Sequence, residues 1–190
     1  EGSEVGAAYA YTRPAATWVL QGQFREGVGP GDERGATVAV SGDTAVVGIP
    51  GAETAGDNAG MVQVYNRSGT LWQLTASLVG SDTAAGDRFG SSVDIDGDTI
   101  VVGAINDDSP LTNAGSAYIF VRNVGAWTEQ AKLVAGDAGS GDLFGSSTAI
   151  SGDIVVIGAP NASGGLGVND PGAGYVFARS NGAWNIQSKL

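Results

Sequence analysis

The chain has no cysteine and no histidine, and these two absences remove whole classes of chemistry. Disulfides, thiolate nucleophiles, zinc sites with Cys or His ligands and catalytic triads that need His are all excluded. Lack of cysteine is compatible with a secreted bacterial protein. Basic residues are scarce as well: 9 Lys and Arg stand against 20 Asp and Glu, for a net charge of −11. Nucleic acid is therefore not an expected partner, because phosphate binding needs clustered Lys and Arg. The acidity reads as solubility, with cation binding or an acidic extracellular setting as the sharper alternative. No apolar run approaches the roughly 20 residues of a membrane helix, so membrane insertion is not expected. No long stretch carries apolar residues at helical spacing. The sequence opens at Glu1 rather than Met, which reads as a processed or trimmed product whose signal peptide is already gone.

What the chain has in quantity is glycine, 32 residues among 190, and it recurs at turns rather than at every third position, so the pattern is not collagen-like. The glycines mark a repeat. Gly31-Asp32, Gly86-Asp87 and Gly141-Asp142 are spaced 55 apart (86 − 31 and 141 − 86), and Gly42-Asp43, Gly97-Asp98 and Gly152-Asp153 keep that spacing. So do Val46-Val47-Gly48, Val101-Val102-Gly103 and Val156-Ile157-Gly158. Trp18, Trp72, Trp127 and Trp184 follow at steps of 54, 55 and 57. A period near 50 with strand-like content points to propeller blades, units that bury their faces only against each other.

Within the middle unit, 92–96 alternates polar and apolar as a half-buried strand does, and 99–103 is a β-branched run apolar on both faces. Residues 116–121 and 127–133 supply two more strands, the first preceded by a polar loop over 106–113. Four short strands joined by local turns make an antiparallel meander, the pattern of one blade. The first unit repeats it at 38–40, 44–48, 61–65 and 72–78, and the third at 148–150, 154–158, 174–177 and 184–190, with a two-residue insertion around 164–170. Residues 8–11 and 18–24 match only the third and fourth strands. The expected fold is all-β: a single β-propeller repeat domain over 1–190, with a half unit (1–24) and full units at 25–78, 79–133 and 134–190, as an open arc or part of a larger ring.

Phe144-Gly145 followed by Gly158-Ala159-Pro160 resembles the FG-GAP repeat of integrin α-subunit propellers. The middle unit keeps Phe89-Gly90 and Gly103-Ala104 but has Ile105 in place of Pro; the first has Arg34-Gly35 and Gly48-Ile49-Pro50. With the Tyr/Phe strand and the Trp strand, the chain is most similar to the bacterial branch of that family. The resemblance implies four-stranded blades around an axis, the segment after Phe-Gly innermost and the Trp strand outermost. Integrin repeats often carry an Asp-rich calcium loop between the first two strands. Here that place holds Ser41-Gly42-Asp43, Asp96-Gly97-Asp98 and Ser151-Gly152-Asp153, hairpins too short to wrap an ion.

Several residues are candidates for chemistry. Asp94, Asp96 and Asp98 have calcium-loop spacing, but calcium takes about six to eight oxygens and no closing Glu follows, so a turn with solvated carboxylates is the competing reading. Asn106, Asp107, Asp108 and Asn113, with Asp57 and Asn58 and with Asn169 and Asp170, occupy matching loops and are candidates for a shared acidic rim that holds a cation or ligand, with Asp107 and Asp108 as metal candidates, or for plain solvated loops. Asp32, Asp87 and Asp142 are expected to bond turn N–H groups. The tryptophans are read as packing residues, with a sugar-stacking row as the alternative. Asn66-Arg67-Ser68 and Asn161-Ala162-Ser163 match glycosylation sequons, and Gly164-Gly165-Leu166-Gly167 reads as a loop rather than a dinucleotide fingerprint.

The expected function is a non-enzymatic interaction or structural module, secreted or at the cell surface of a bacterium. Its expected partners are proteins, through self-association or other propeller segments. No cofactor is expected, with calcium the one alternative. Competing readings are a lectin-like propeller that binds glycans, and a carboxylate-dependent glycosidase or lyase, which needs two carboxylates facing each other in a cleft.

Overall fold

A computed structural model describes residues 6–25, 29, 31–163 and 172–190. The described residues form fourteen strands and no helix. β1 (Ala8–Thr12) and β2 (Val19–Phe24) make a two-stranded sheet. Blade one is β3 (Thr37–Ser41), β4 (Thr44–Ile49), β5 (Met61–Ser68) and β6 (Leu71–Leu78). Blade two is β7 (Phe89–Asp96), β8 (Thr99–Ala104), β9 (Ser116–Asn123) and β10 (Ala126–Leu133). Blade three is β11 (Ser147–Ser151), β12 (Ile154–Ala159), β13 (Ala173–Ser180) and β14 (Ala183–Lys189). Each blade is a meander whose strands pair in chain order, all antiparallel. The arc of three and a half blades is open, as the repeat count predicts. The insertion around 164–170 and the loop glycines there lie outside the described residues.

The turns follow from their residues. Gly42, Gly97 and Gly152 open the first hairpin of each blade at φ 57°, 56° and 57°, the left-handed region that a two-residue hairpin with Gly at its first central position uses. The turn between the third and fourth strands is Val124-Gly125 in blade two (φ 50° and 84°) and Asn181-Gly182 in blade three (φ 52° and 79°). Asn suits that conformation; a fully exposed β-branched Val does not. β7 starts at Phe89 and not at 92 as the sequence pattern predicts. Phe89 bridges in parallel to Gly60 of blade one, and the β7–β8 register shifts between Phe89 and Ser92.

Each apolar cluster lies between blades, not within one. Val46, Val62 and Val64 of blade one pack against Val93, Ile95, Ile100, Val102 and Phe120 of blade two. Val101, Ala117 and Ile119 on the opposite face of blade two pack against Val155, Ile157, Tyr175 and Phe177 of blade three. Ala8 and Phe24 pack against Ala45, Val47 and Tyr65. The period-2 alternation of a strand thus feeds two interfaces at once, which is why 99–103 is apolar throughout. Phe89 and Phe144 are fully buried and meet Tyr118 and Tyr175 edge-on at 5.3 Å. In blade one the matching position is Arg34, also buried, which donates to Gln63 Oε1 and Tyr65 Oη.

The two glycines of the repeat signature meet across the interface. Gly90 and Gly145 have φ 92° and 90°. That conformation turns their carbonyls onto the preceding blade, where Thr37 Oγ1 and Ser92 Oγ donate to them at 2.8 and 2.7 Å. A β-carbon on Gly48 would lie 2.2 Å from Gly90 O, and one on Gly103 would lie 2.0 Å from Gly145 O. Only glycine allows that approach.

Candidate functional site

The hairpin carboxylates are occupied by the fold. Asp98 accepts from Arg122 Nε at 2.7 Å, as Asp43 does from Arg67 and Asp153 from Arg179. Each guanidinium also lies 5.1–5.5 Å from the centroid of the following Trp72, Trp127 or Trp184 ring. Arg122 Nη1 and Arg179 Nη1 reach Thr44 Oγ1 and Thr99 Oγ1 of the blade before, both at 3.3 Å. Asp94 Oδ2 accepts the Ile150 N–H, and Asp96 Oδ2 the Gly152 N–H, both on blade three. The three carboxylates with calcium-like spacing therefore point to three separate partners. Among the described residues no group of three or more acidic side chains is placed to hold a metal ion.

The loop candidates divide similarly. Asp107 is buried and accepts from Ser116 Oγ, Tyr118 Oη and the Ser109 N–H, with Lys132 Nζ at 2.7 Å. The same Tyr118 hydroxyl lies 2.7 Å from Asp82 Oδ1, so its one proton is shared between the two carboxylates, and Asp82 pairs with Lys132 at 2.7 Å. Burial, reinforced by the hydrogen bonds to Asp82 and Asp107, pushes the Tyr118 hydroxyl far above its ordinary value. Burial alone would lower Lys132, but Asp107 and Asp82 outweigh it and raise it. Burial would raise Asp82, but its hydrogen bonds from Lys132 and Tyr118 prevail and hold it below its ordinary range. Blade three repeats the arrangement with Tyr175, Asp137 and Lys189, and the Lys189 hydrogen bond lowers Asp137.

Asp57, Asn58, Asp108 and Asn113 are exposed, and Asn106 is half-buried. Their backbones clamp neighbouring blades. Asp57 O accepts the Gly86 N–H, Asn58 O the Arg88 N–H, and Asn113 O the Leu143 N–H. Asn58 and Asn113 sit at φ 54° and 49°. Asp108 Oδ1 accepts the Asn113 N–H at 2.8 Å. Asn169 and Asp170 lie outside the described residues. Asp32, Asp87 and Asp142 accept turn N–H groups from Gly29, Ala84 and Gly139 at 2.6, 2.7 and 2.7 Å.

Three and a half units imply apolar blade faces exposed at both ends of the arc, and the structure shows which residues these are. Val156 is 38% exposed, whereas its blade-two equivalent Val101 is fully buried under blade three. Ile154, on the same face of β12 as Val156, is 43% exposed. At the other end Tyr9, Tyr11 and Leu20 are exposed, as is Trp18 at 65%. Val38 and Val40 are 60% and 66% exposed, whereas their equivalents Val93 and Ile95 are 9% and 5%. The contrast between equivalent positions was available in the sequence only by asking which repeat positions have a next blade to meet. A cavity of about 460 Å3 also opens between β2 and β6, lined by Gln21, Gln23, Phe24, Tyr65, Trp72 and Gln73. Trp72 Nε1 is buried without a hydrogen-bond partner among the described residues, whereas Trp184 Nε1 donates to Gln130.

Comparison with known proteins adds a family. The FG-GAP repeat family matches residues 26–65, 72–120 and 127–177. No curated protein matches the chain. One similar solved structure is a variant S. cerevisiae Dbp5 bound to Nup159, a variant Gle1, IP6 and ADP. It aligns over 90% of this chain and 39% of that one, at 12% identity and a TM-score of 0.44. This chain thus spans about two fifths of that chain's length.

Proposed function

The chain belongs to the FG-GAP repeat family, and from that premise we propose that it is a non-enzymatic interaction module, acting outside the cell, that binds protein partners or copies of itself through the faces of its blades. The observation that carries this reading is the difference between equivalent positions. Val101 is covered by a following blade and Val156 is not; Ile154 shares that uncovered face. Contiguous exposed apolar surface on a rigid scaffold is the ordinary mark of a protein-binding face. The carboxylates that enzymatic glycoside cleavage would use are engaged with arginines, lysines and backbone N–H groups of neighbouring blades. FG-GAP repeats are typical of extracellular proteins, and no helix of the described residues is long and apolar enough to cross a membrane. The first point supports an extracellular setting.

Sedimentation velocity tests the reading. The wild-type chain is expected to associate as its concentration rises into the high micromolar range. The double variant Ile154→Asp, Val156→Asp, which alters exposed side chains, is expected to stay monomeric. A wild-type chain that stays monomeric and captures no other propeller segment overturns it. A second reading, glycan binding, is favoured by the cavity beside Trp72, where aromatic rings stand among three glutamines. Loss of glycan binding on Trp72→Ala, with stability nearly unchanged, would support that reading over the first.

A further inference from the structure

Blade two holds a closed ring of polar side chains. Lys132 Nζ lies 2.7 Å from Asp107 Oδ2 and 2.7 Å from Asp82 Oδ2. The Tyr118 hydroxyl lies 2.7 Å from Asp82 Oδ1 and 2.7 Å from Asp107 Oδ2, which closes the ring. We propose that Lys132 and Asp107 condense into an intramolecular isopeptide bond between Nζ and Cγ, with Asp82 as the base and Tyr118 as the proton relay. The site lies in the middle blade, away from both ends of the arc, and the proposal is independent of the interaction-module reading.

Each group stands where the reaction requires it. The side chains of Asp107 and Lys132 are 3% and 19% exposed, so electrophile and nucleophile are largely held out of bulk water. Fixed juxtaposition of two reacting groups is equivalent to an effective molarity of about 10⁵–10⁸ M, which favours condensation against the solvent water that would reverse it. Lys132 rests protonated, because Asp107 and Asp82 outweigh its burial. The step therefore begins with transfer of a proton from Nζ to Asp82 Oδ2, which is within the reach of a general base. The freed lone pair forms the bond to Cγ of Asp107. The Ser109 N–H, 2.8 Å from Asp107 Oδ1, stabilises the charge that develops on that oxygen, the future amide carbonyl. Oδ2, which accepts from Ser116 Oγ and Tyr118 Oη, is the leaving oxygen. Two protons pass from Nζ through Asp82 and Tyr118 to Oδ2, the Cγ–Oδ2 bond breaks and one water departs. Asp82 and Tyr118 end as they began, and no oxidant or other reactant is consumed. Packing alone does not require a carboxylate at 107. Blade three has the matching Tyr175, Asp137 and Lys189, but Ala162 stands where Asp107 stands in blade two, as Ala52 does in blade one. The bond would fasten β10 to the loop between β8 and β9 in a chain that has no cysteine to form a disulfide.

Intact-mass spectrometry of the full chain, kept at neutral pH until its mass is constant, tests the bond. The expected mass is about 18 Da below the value the sequence requires, the loss of one water. Tandem spectra of a tryptic digest are expected to show no cleavage after Lys132 and one branched peptide that joins 132 to 107. Lys132→Arg keeps the positive charge but has no amine to condense, and is expected to restore the full mass. Lys189→Arg, in blade three, is expected to leave the water loss in place. Asp82→Asn and Tyr118→Phe are expected to slow the water loss about 100-fold or more. Full mass in the wild-type chain, or a water loss that persists in Lys132→Arg, overturns the bond. An unchanged rate in Asp82→Asn and Tyr118→Phe overturns the relay.

Discussion

Gly103→Ala is the perturbation that most sharply examines how the blades hold together. Gly103 does not occupy the left-handed region, so alanine adopts its backbone without strain. The cost arises from the next blade. The new β-carbon would stand 2.0 Å from Gly145 O and 2.4 Å from Ser92 Oγ. One obstacle is backbone that cannot rotate away. Overpacking of this kind costs about 1–3 kcal/mol. Displacing the Ser92 Oγ–Gly145 O hydrogen bond adds about 0.5–1.5 kcal/mol. The expected loss is about 2–4 kcal/mol, a large part of a domain stability of about 5–15 kcal/mol. Gly158→Ala is the internal control. It is the same repeat position with no blade beyond it, and its β-carbon would meet only serine side chains, Ser147 Oγ at 2.4 Å and nothing else closer than 3.6 Å. A hydroxyl rotates, and alanine restricts the unfolded chain, so the net change is expected within about 1 kcal/mol. Urea unfolding followed by tryptophan fluorescence measures both. Costs equal within about 0.5 kcal/mol would refute the reasoning, because the approach of Gly145 would then confer no constraint.

Four further outcomes are expected. Val124→Asn places in blade two the residue that blade three uses at φ 52°, and is expected to raise stability by about 1 kcal/mol in thermal unfolding. Asp107→Ala strands the buried Ser116 hydroxyl, while Tyr118 and Lys132 both keep Asp82, and is expected to cost about 1–3 kcal/mol in denaturant unfolding. Asp82 and Asp137 are held below the ordinary 3.8, so their contribution is present above about pH 4 and is lost as pH falls through their folded values; burial raises Asp87, which works in the opposite sense. Stability measured against pH is thus expected to fall on the acid side, less steeply in Asp82→Asn. A chelator or added calcium is expected to leave the melting temperature nearly unchanged, and a rise of several degrees with calcium would show a site that the Asp94, Asp96 and Asp98 geometry does not provide.

Much of this architecture is legible in the residues, because a strand buried on both faces must be apolar on both, as in 99–103, and a tight hairpin must carry glycine, as at Gly42, Gly97 and Gly152. The interfaces were less legible. The pairing of Asp98 with Arg122 recurs as Asp43 with Arg67 and Asp153 with Arg179, a regularity that repeat spacing displays but that local motif reading passes over. The expectation that tryptophans pack holds for Trp127 and Trp184, which lie against the inter-blade clusters, and for Trp72 beside Phe24. It does not hold for Trp18, which is exposed because no preceding blade stands beside the half blade. That apolar blade faces are left exposed at both ends follows from the repeat count, but which residues form them does not. Val38 and Val40 look like any other inner-strand residues until the missing neighbour is placed beside them.

The central claim, that the uncovered ends are where the chain engages other proteins, is tested most directly by amide exchange at low and high concentration. The account predicts protection that grows with concentration in β12 and β14 and at the half blade, with the strands of blade two unchanged. Protection that is the same at both concentrations in every strand would contradict it.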